Sequence, residues 1–236
     1  MNSRNRIMLC VFALLLLAGC AKTKVIDHEK LYSGQLPRPA HIWVYDFAAT
    51  AADLPADSEL VRQYSVSTAP QTPEDIATGR KLGALVATEL VKEIRKMGMP
   101  GENVVTGATA QLNDLIIRGY LVSFNEGDAA KRVMIGLGSG SSEMSVAVET
   151  FQVTTRGLRK LGSGAVDSGG SKTPGGAVGA AAFIATANPA GLIVSTGMKV
   201  YGEASGSSKV EGRAEKTAKE IADVLKKRFQ EQGWIK

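Results

Sequence analysis

The hydrophobic positions of this chain follow two rhythms, and each rhythm marks a different element. His41 to Phe47, HIWVYDF, is dense in β-branched and aromatic residues, has proline before it and an alanine-rich loop, Ala48 to Gln71, after it; it is predicted as a strand. From Ile76 the spacing changes to that of a helix: Ile76, Val86, Leu90, Ile94 and Met97 fall on one stripe. Thr72-Pro73-Glu74-Asp75 supplies its start, with an N-cap hydroxyl, a proline at the first position and two acidic groups at the positive end of the dipole. Gly98 and Pro100 supply its stop. Gly79 and Gly83 lie on the apolar stripe, where glycine lowers helix propensity, so the sequence predicts a close approach of another element there. Asp114 to Asn125 is a second strand, followed by the turn residues Glu126-Gly127-Asp128. Arg132 to Thr154 reads as two strands, or as one strand bent at the glycine-serine stretch Gly136 to Ser142. Gly157 to Gly176 reads as a glycine-rich passage. The last element is an amphipathic helix from about Gly212 to Glu231, with Ala214, Ala218, Ile221, Val224, Leu225 and Phe229 on one face and the pair Glu215 and Lys219 on the other. This order predicts an α+β fold, an antiparallel sheet with two amphipathic helices on one face.

One stretch fits neither rhythm. Thr173 to Met198 contains no charged residue, yet its bulky apolar side chains are few: Val178, Phe183, Ile184, Leu192, Ile193 and Val194. Asn188-Pro189 interrupts it midway, which makes it a poor membrane span and predicts a Gly/Ala-rich hairpin turning at Asn188-Pro189-Ala190-Gly191, within an insertion covering residues 162–206. Its arms could be helices or strands. Small residues at Gly175, Gly179, Ala181 and Ala185 allow close packing, against the domain, sister subunits or a membrane.

The N-terminus sets the compartment. Arg4 and Arg6 precede LCVFALLLLAG, an apolar segment too short for a stable span, which is the pattern of a processed signal peptide over residues 1–19. Leu17-Ala18-Gly19-Cys20 resembles the lipobox of bacterial lipoproteins, and that resemblance implies acylation of Cys20 and cleavage before it. No Asp follows the cysteine, since Ala21 and Lys22 stand there, which by the same resemblance favours the outer membrane, periplasmic face. Residues 20–40, ending in Pro37-Arg38-Pro39, read as a lipidated polar tether, and as flexible coil they would reach about 25 Å. Residues 41–236 then form a single domain.

Composition narrows the chemistry. Of two cysteines, Cys10 leaves with the signal and Cys20 is taken by lipid, so neither a disulfide nor a thiolate metal site is expected. The formal charge of +5 falls to +3 once Arg4 and Arg6 are removed, too mild to indicate nucleic acid. His28 and His41 have no ligand-spaced carboxylates around them, and neither a hydrolase triad nor a zinc site has its parts. Gly164 to Thr173, GAVDSGGSKT, approaches a phosphate-binding loop, but Ser171 separates the second glycine from Lys172. Gly136 to Gly140 likewise lacks the helix that a dinucleotide loop requires. No cofactor and no metal is expected. A serine-lysine nucleophile is marked by no motif.

HIWVYDF, GRKLGALVATELVKEIRKMG, IIRGYLVSFNEGDAAKRVMIGLGSGSSE, VETFQVT and GRAEKTAKEIADVLKKRF resemble a group of Gram-negative lipoproteins that carry a domain of unknown function. A more distant similarity, in the strand-helix-strand beginning and the lipobox, is to the curli secretion-channel type of assembly lipoprotein, and it implies oligomerisation. The resemblance carries no catalytic residue. Three functions follow as expectations: a non-enzymatic binding or assembly module held at the outer membrane through acylated Cys20; an oligomeric subunit of an export or channel assembly with the Gly/Ala-rich segment at the membrane; and a periplasmic hydrolase. Partners expected are outer-membrane lipid and a homo-oligomer or envelope protein, and no nucleic acid.

Overall fold

The computed structural model describes residues 23–56, 58–60, 72–104, 109–125, 143–168 and 207–236. In chain order the elements are β1 (Thr23–Lys30), β2 (Ile42–Val44), a short 3-10 turn (Ala51–Asp53), α1 (Pro73–Lys96), β3 (Gly101–Asn103), β4 (Leu115–Asn125), β5 (Glu143–Thr154), β6 (Gly157–Ser168) and α2 (Ser207–Glu231). The strands form one open six-stranded sheet in the order β1-β6-β5-β4-β2-β3. The α+β class read from the sequence is the one observed. The sheet is antiparallel from β1 to β4, and β2 joins it parallel to both β4 and β3. A long connection carries the chain from β2 through α1 to β3, which is what parallel pairing needs.

Both helices pack on one face, where a single apolar core joins Val86, Leu90 and Ile94 of α1, Ile221, Leu225 and Phe229 of α2, and Ile117, Leu121, Val146 and Val166 of the sheet. Alternation along β4 explains the sorting: Leu115, Ile117 and Leu121 face the helices, while Arg118 and Tyr120 face away. α1 begins as its sequence requires. Thr72 Oγ1 accepts from the Asp75 amide at 3.1 Å, and the Thr72 amide donates back to Asp75 at 3.0 Å. It ends at Gly98, whose φ of 76° is the left-handed cap that glycine adopts without strain.

The predicted close approach at α1 is present. A Cβ on Gly83 would lie 1.9 Å from the Phe47 carbonyl oxygen, and one on Gly79 would lie 2.8 Å from the Ala49 side chain. Gly119 of β4 does the same from the sheet, with 2.2 Å between its would-be Cβ and the Phe47 ring. The two backbones hold Phe47 between them: its amide donates to Gly83 O at 3.3 Å, and the Ala48 amide donates to Gly119 O at 2.9 Å.

Two segments differ from the sequence reading. Residues 23–40 are part of the fold and not a coiled tether. β1 pairs with β6 from Thr23 opposite Ser168 to Lys30 opposite Gly162. Beyond it, the Leu36 amide donates to Gln232 at 2.7 Å, and Arg38 donates to Trp234 O at 3.1 Å and Gly98 O at 2.9 Å. The sequence TKVIDHEK hides this strand because β1 is an edge, and edge strands carry charge to discourage further pairing. The second segment is β6. Its first seven residues from Gly162 onward belong to the sheet and not to the Gly/Ala-rich insertion. The hairpin expected at 175–200, the bend at Gly136 to Ser142 and the signal peptide lie outside the described residues.

Candidate functional site

The face of the sheet away from the helices carries the densest polar chemistry. Glu149 of β5 is fully buried there, and the Ser58 hydroxyl donates to it at 2.7 Å. Lys160 of β6 reaches the other carboxylate oxygen at 3.1 Å and is also paired with Glu59. Arg118, opposite Glu149 in the register, lies over the rings of Tyr45 and Phe151 at 5.4 and 5.3 Å. A serine-lysine pair thus exists in space, but its protonation is wrong for a nucleophile. Burial alone would lower the Lys160 pKa; the hydrogen bonds and charges of Glu59 and Glu149 outweigh it and raise the value, so the ammonium keeps its proton. Ser58 donates to a carboxylate that Lys160 already neutralises. The arrangement ties Ser58 and its neighbours to the sheet and offers no free base.

A second cluster fastens the start of β2. Buried Asp114 accepts from the His41 amide at 3.1 Å, Trp43 Nε1 at 3.0 Å and the Gln111 amide at 2.8 Å. His41 stacks on Trp43 and shares a 2.9 Å hydrogen bond with Glu102, which raises its pKa. Its role is a latch between β2 and β3. No group of three or more His, Cys, Asp or Glu side chains that could hold a metal ion occurs among the described residues. The would-be phosphate loop is excluded by its start, since Gly164 to Ser168 are strand.

The geometry also groups the segments that hold the sequence-predicted sites. Thr23 at the start of β1, Ser168 at the end of β6, Met144 near the start of β5 and Phe124 near the end of β4 are register neighbours in one row. α2 is fastened at the same end, where the Thr217 hydroxyl donates to Ser168 Oγ at 3.0 Å and Ser168 Oγ to Met144 O at 3.1 Å. Residues 1–22, 126–142 and 169–206 all attach to this end of the sheet. Cys20 and the residues Gly175, Gly179, Ala181 and Ala185 belong to those segments and lie outside the described residues.

The sequence reading missed a cavity at the other end. About 130 Å³ lies between β6 and α2, floored by Gly162 and Gly164 and walled by Val148, Ile221, Leu225 and Phe229. Its mouth holds Lys30, Arg228 and Glu231, with Lys30 and Arg228 bonded to the same carboxylate at 2.8 and 3.0 Å. The usable signal was glycine at alternate positions of a strand, which marks a backbone that something approaches.

No curated protein matches the chain. Among solved structures, the PelC dodecamer from Paraburkholderia phytofirmans is similar at 13% identity and a TM-score of 0.38, over 72% of this chain and 98% of that one. A single-substitution variant of it in another crystal form gives 13% identity and a TM-score of 0.35, over 74% of this chain and 100% of that one. Likenesses this remote show neither a shared assembly nor a shared function. The chain belongs to the DUF4410 family, a domain of unknown function whose model matches residues 42–187.

Proposed function

We propose that this chain is a lipoprotein held in the outer membrane through acylated Cys20 on the periplasmic face, and that it works there as a non-enzymatic binding or assembly module. The observation that carries this reading is the sequence Leu17-Ala18-Gly19-Cys20 behind an apolar signal segment, with β1 beginning three residues later at Thr23. Three residues span at most about 11 Å, so an acyl group on Cys20 holds the Thr23–Ser168 end of the sheet against the lipid headgroups. Both long unassigned segments attach to that end. The non-enzymatic reading is supported by Lys160, which keeps its proton between Glu59 and Glu149 beside Ser58.

Globomycin treatment and the Cys20→Ala variant test the anchor. The expected result is accumulation of the unprocessed chain under globomycin and release of Cys20→Ala from the membrane fraction; unchanged processing and fractionation would overturn it. A second reading rests on the attachment of the uncharged stretch Thr173 to Met198 at the membrane-facing end: self-association through Gly175, Gly179, Ala181 and Ala185. Light scattering of the detergent-extracted protein then gives an oligomer that Val178→Asp dissociates. A monomer in both chains contradicts it.

A further inference from the structure

We propose that the cavity between β6 and α2 binds a single alkyl chain with an anionic head, a ligand of the fatty-acid kind. The floor is made by what β6 leaves out. Gly162 and Gly164 stand opposite Thr150 and Val148 of β5, on the face that Val146, Val148 and Val166 turn toward the helices. An ordinary core would fill these positions, because burying a large aliphatic side chain contributes about 1.5–3 kcal/mol and an unfilled volume forfeits packing as well. Two glycines inside a strand also weaken the strand itself. Their combined effect is a space between sheet and helix that no described residue occupies.

Its size and lining select the occupant. A dry apolar cavity of about 150 Å³ admits one benzene ring, so about 130 Å³ accepts five or six carbons of one chain and excludes a sterol or a peptide side chain with its backbone. The walls present aliphatic and aromatic carbon from Val148, Ile221, Leu225, Phe229 and Trp234. The mouth is of opposite character. Lys30 and Arg228 share one carboxylate, Glu231. Two cations against one anion leave the mouth positive, which suits a carboxylate head with its chain directed inward. A free fatty acid supplies such a chain.

Isothermal titration calorimetry of the purified mature chain carrying Cys20→Ala, with hexanoate as the probe, tests the assignment. Saturable binding of one probe per chain is expected, weakened at least tenfold in Gly164→Leu, which fills the cavity, and weakened several-fold for the methyl ester of the probe, which lacks the anion. Val224→Trp, at a half-exposed position of α2 lining the same cavity, serves as the second variant should Gly164→Leu lose its circular dichroism spectrum. Absence of saturable binding to the Cys20→Ala chain, or binding unchanged in a folded cavity-filling variant, overturns the proposal. The outcome is independent of where the chain is anchored, since the anchor is absent from the protein tested.

Discussion

Phe47 shows how much of this fold depends on side chains that are missing. It is enclosed by Gly83 from the helix and Gly119 from the sheet, and neither position has room for a methyl group. Gly83 was legible, because glycine on the apolar stripe of a helix is costly and asks for a reason; Gly119 was not, because DLIIRGYLVSFN reads as a good strand with or without its partner named. Gly83→Ala is therefore expected to destabilise the domain at the upper end of about 1–3 kcal/mol in chemical denaturation, since backbone must shift to relieve the contact. Gly98→Ala, a change in conformation with open space around it, should cost about 1–2 kcal/mol.

At the same scale, the hydrogen bond to Glu102 raises the His41 pKa, with burial opposing and Asp114 assisting. A folded-state value raised above 6.5 means that the latch contributes fully below about pH 6.5 and is lost as pH rises through the folded value. His41→Gln should flatten that part of the stability profile, measured as midpoint against pH. Asp167 is raised by burial, with a 3.1 Å hydrogen bond from Ser145 only partly opposing it. Its protonated form suits the folded state, so stability associated with it is present below pH 3.8 and declines as pH rises through the folded value. Asp167→Asn should accordingly raise the melting temperature at pH 7 and remove the decline.

At the scale of elements, the helices were the legible part. α1 carries its cap, proline, acidic turn and terminal glycine in sequence, and α2 carries a clean apolar face, so local rules sufficed for both. The strands divided by environment. β4 and β5 are central and alternate visibly; β1 is an edge written in charged residues, and β6 replaces apolar positions with glycine, so both were taken for irregular chain. The parallel placement of β2 was not legible either, since strand order depends on contacts far apart in sequence. The polar face was partly legible: His41 was noticed, while Ser58, Glu149 and Lys160 come from three separate elements and meet only in the fold. Because β1 is a strand, deleting residues 21–32 removes a ladder whose hydrogen bonds contribute about 0.5–1.5 kcal/mol each. The deletion should lower stability by several kcal/mol and expose β6 amides to hydrogen exchange. Unchanged stability would be the behaviour of a tether.

For the molecule as a whole, the short link between Cys20 and β1 would turn the proposed lipid anchor into an orientation. A coil of twenty residues would let the domain turn freely; two residues between Cys20 and Thr23 do not. On the proposed function the Thr23–Ser168 end, with the start of α2, faces the lipid, and the turn between β5 and β6 points away. No helix among the described residues is long and apolar enough to cross a membrane. Single cysteines at two exposed positions read this directly, one at Glu211 near the start of α2 and one at Arg156 in the far turn. Each is labelled with a fluorophore in the acylated protein in vesicles containing headgroup-attached nitroxide quenchers. The account predicts strong quenching at Glu211→Cys and weak quenching at Arg156→Cys; equal quenching at both, or the reverse order, would contradict it.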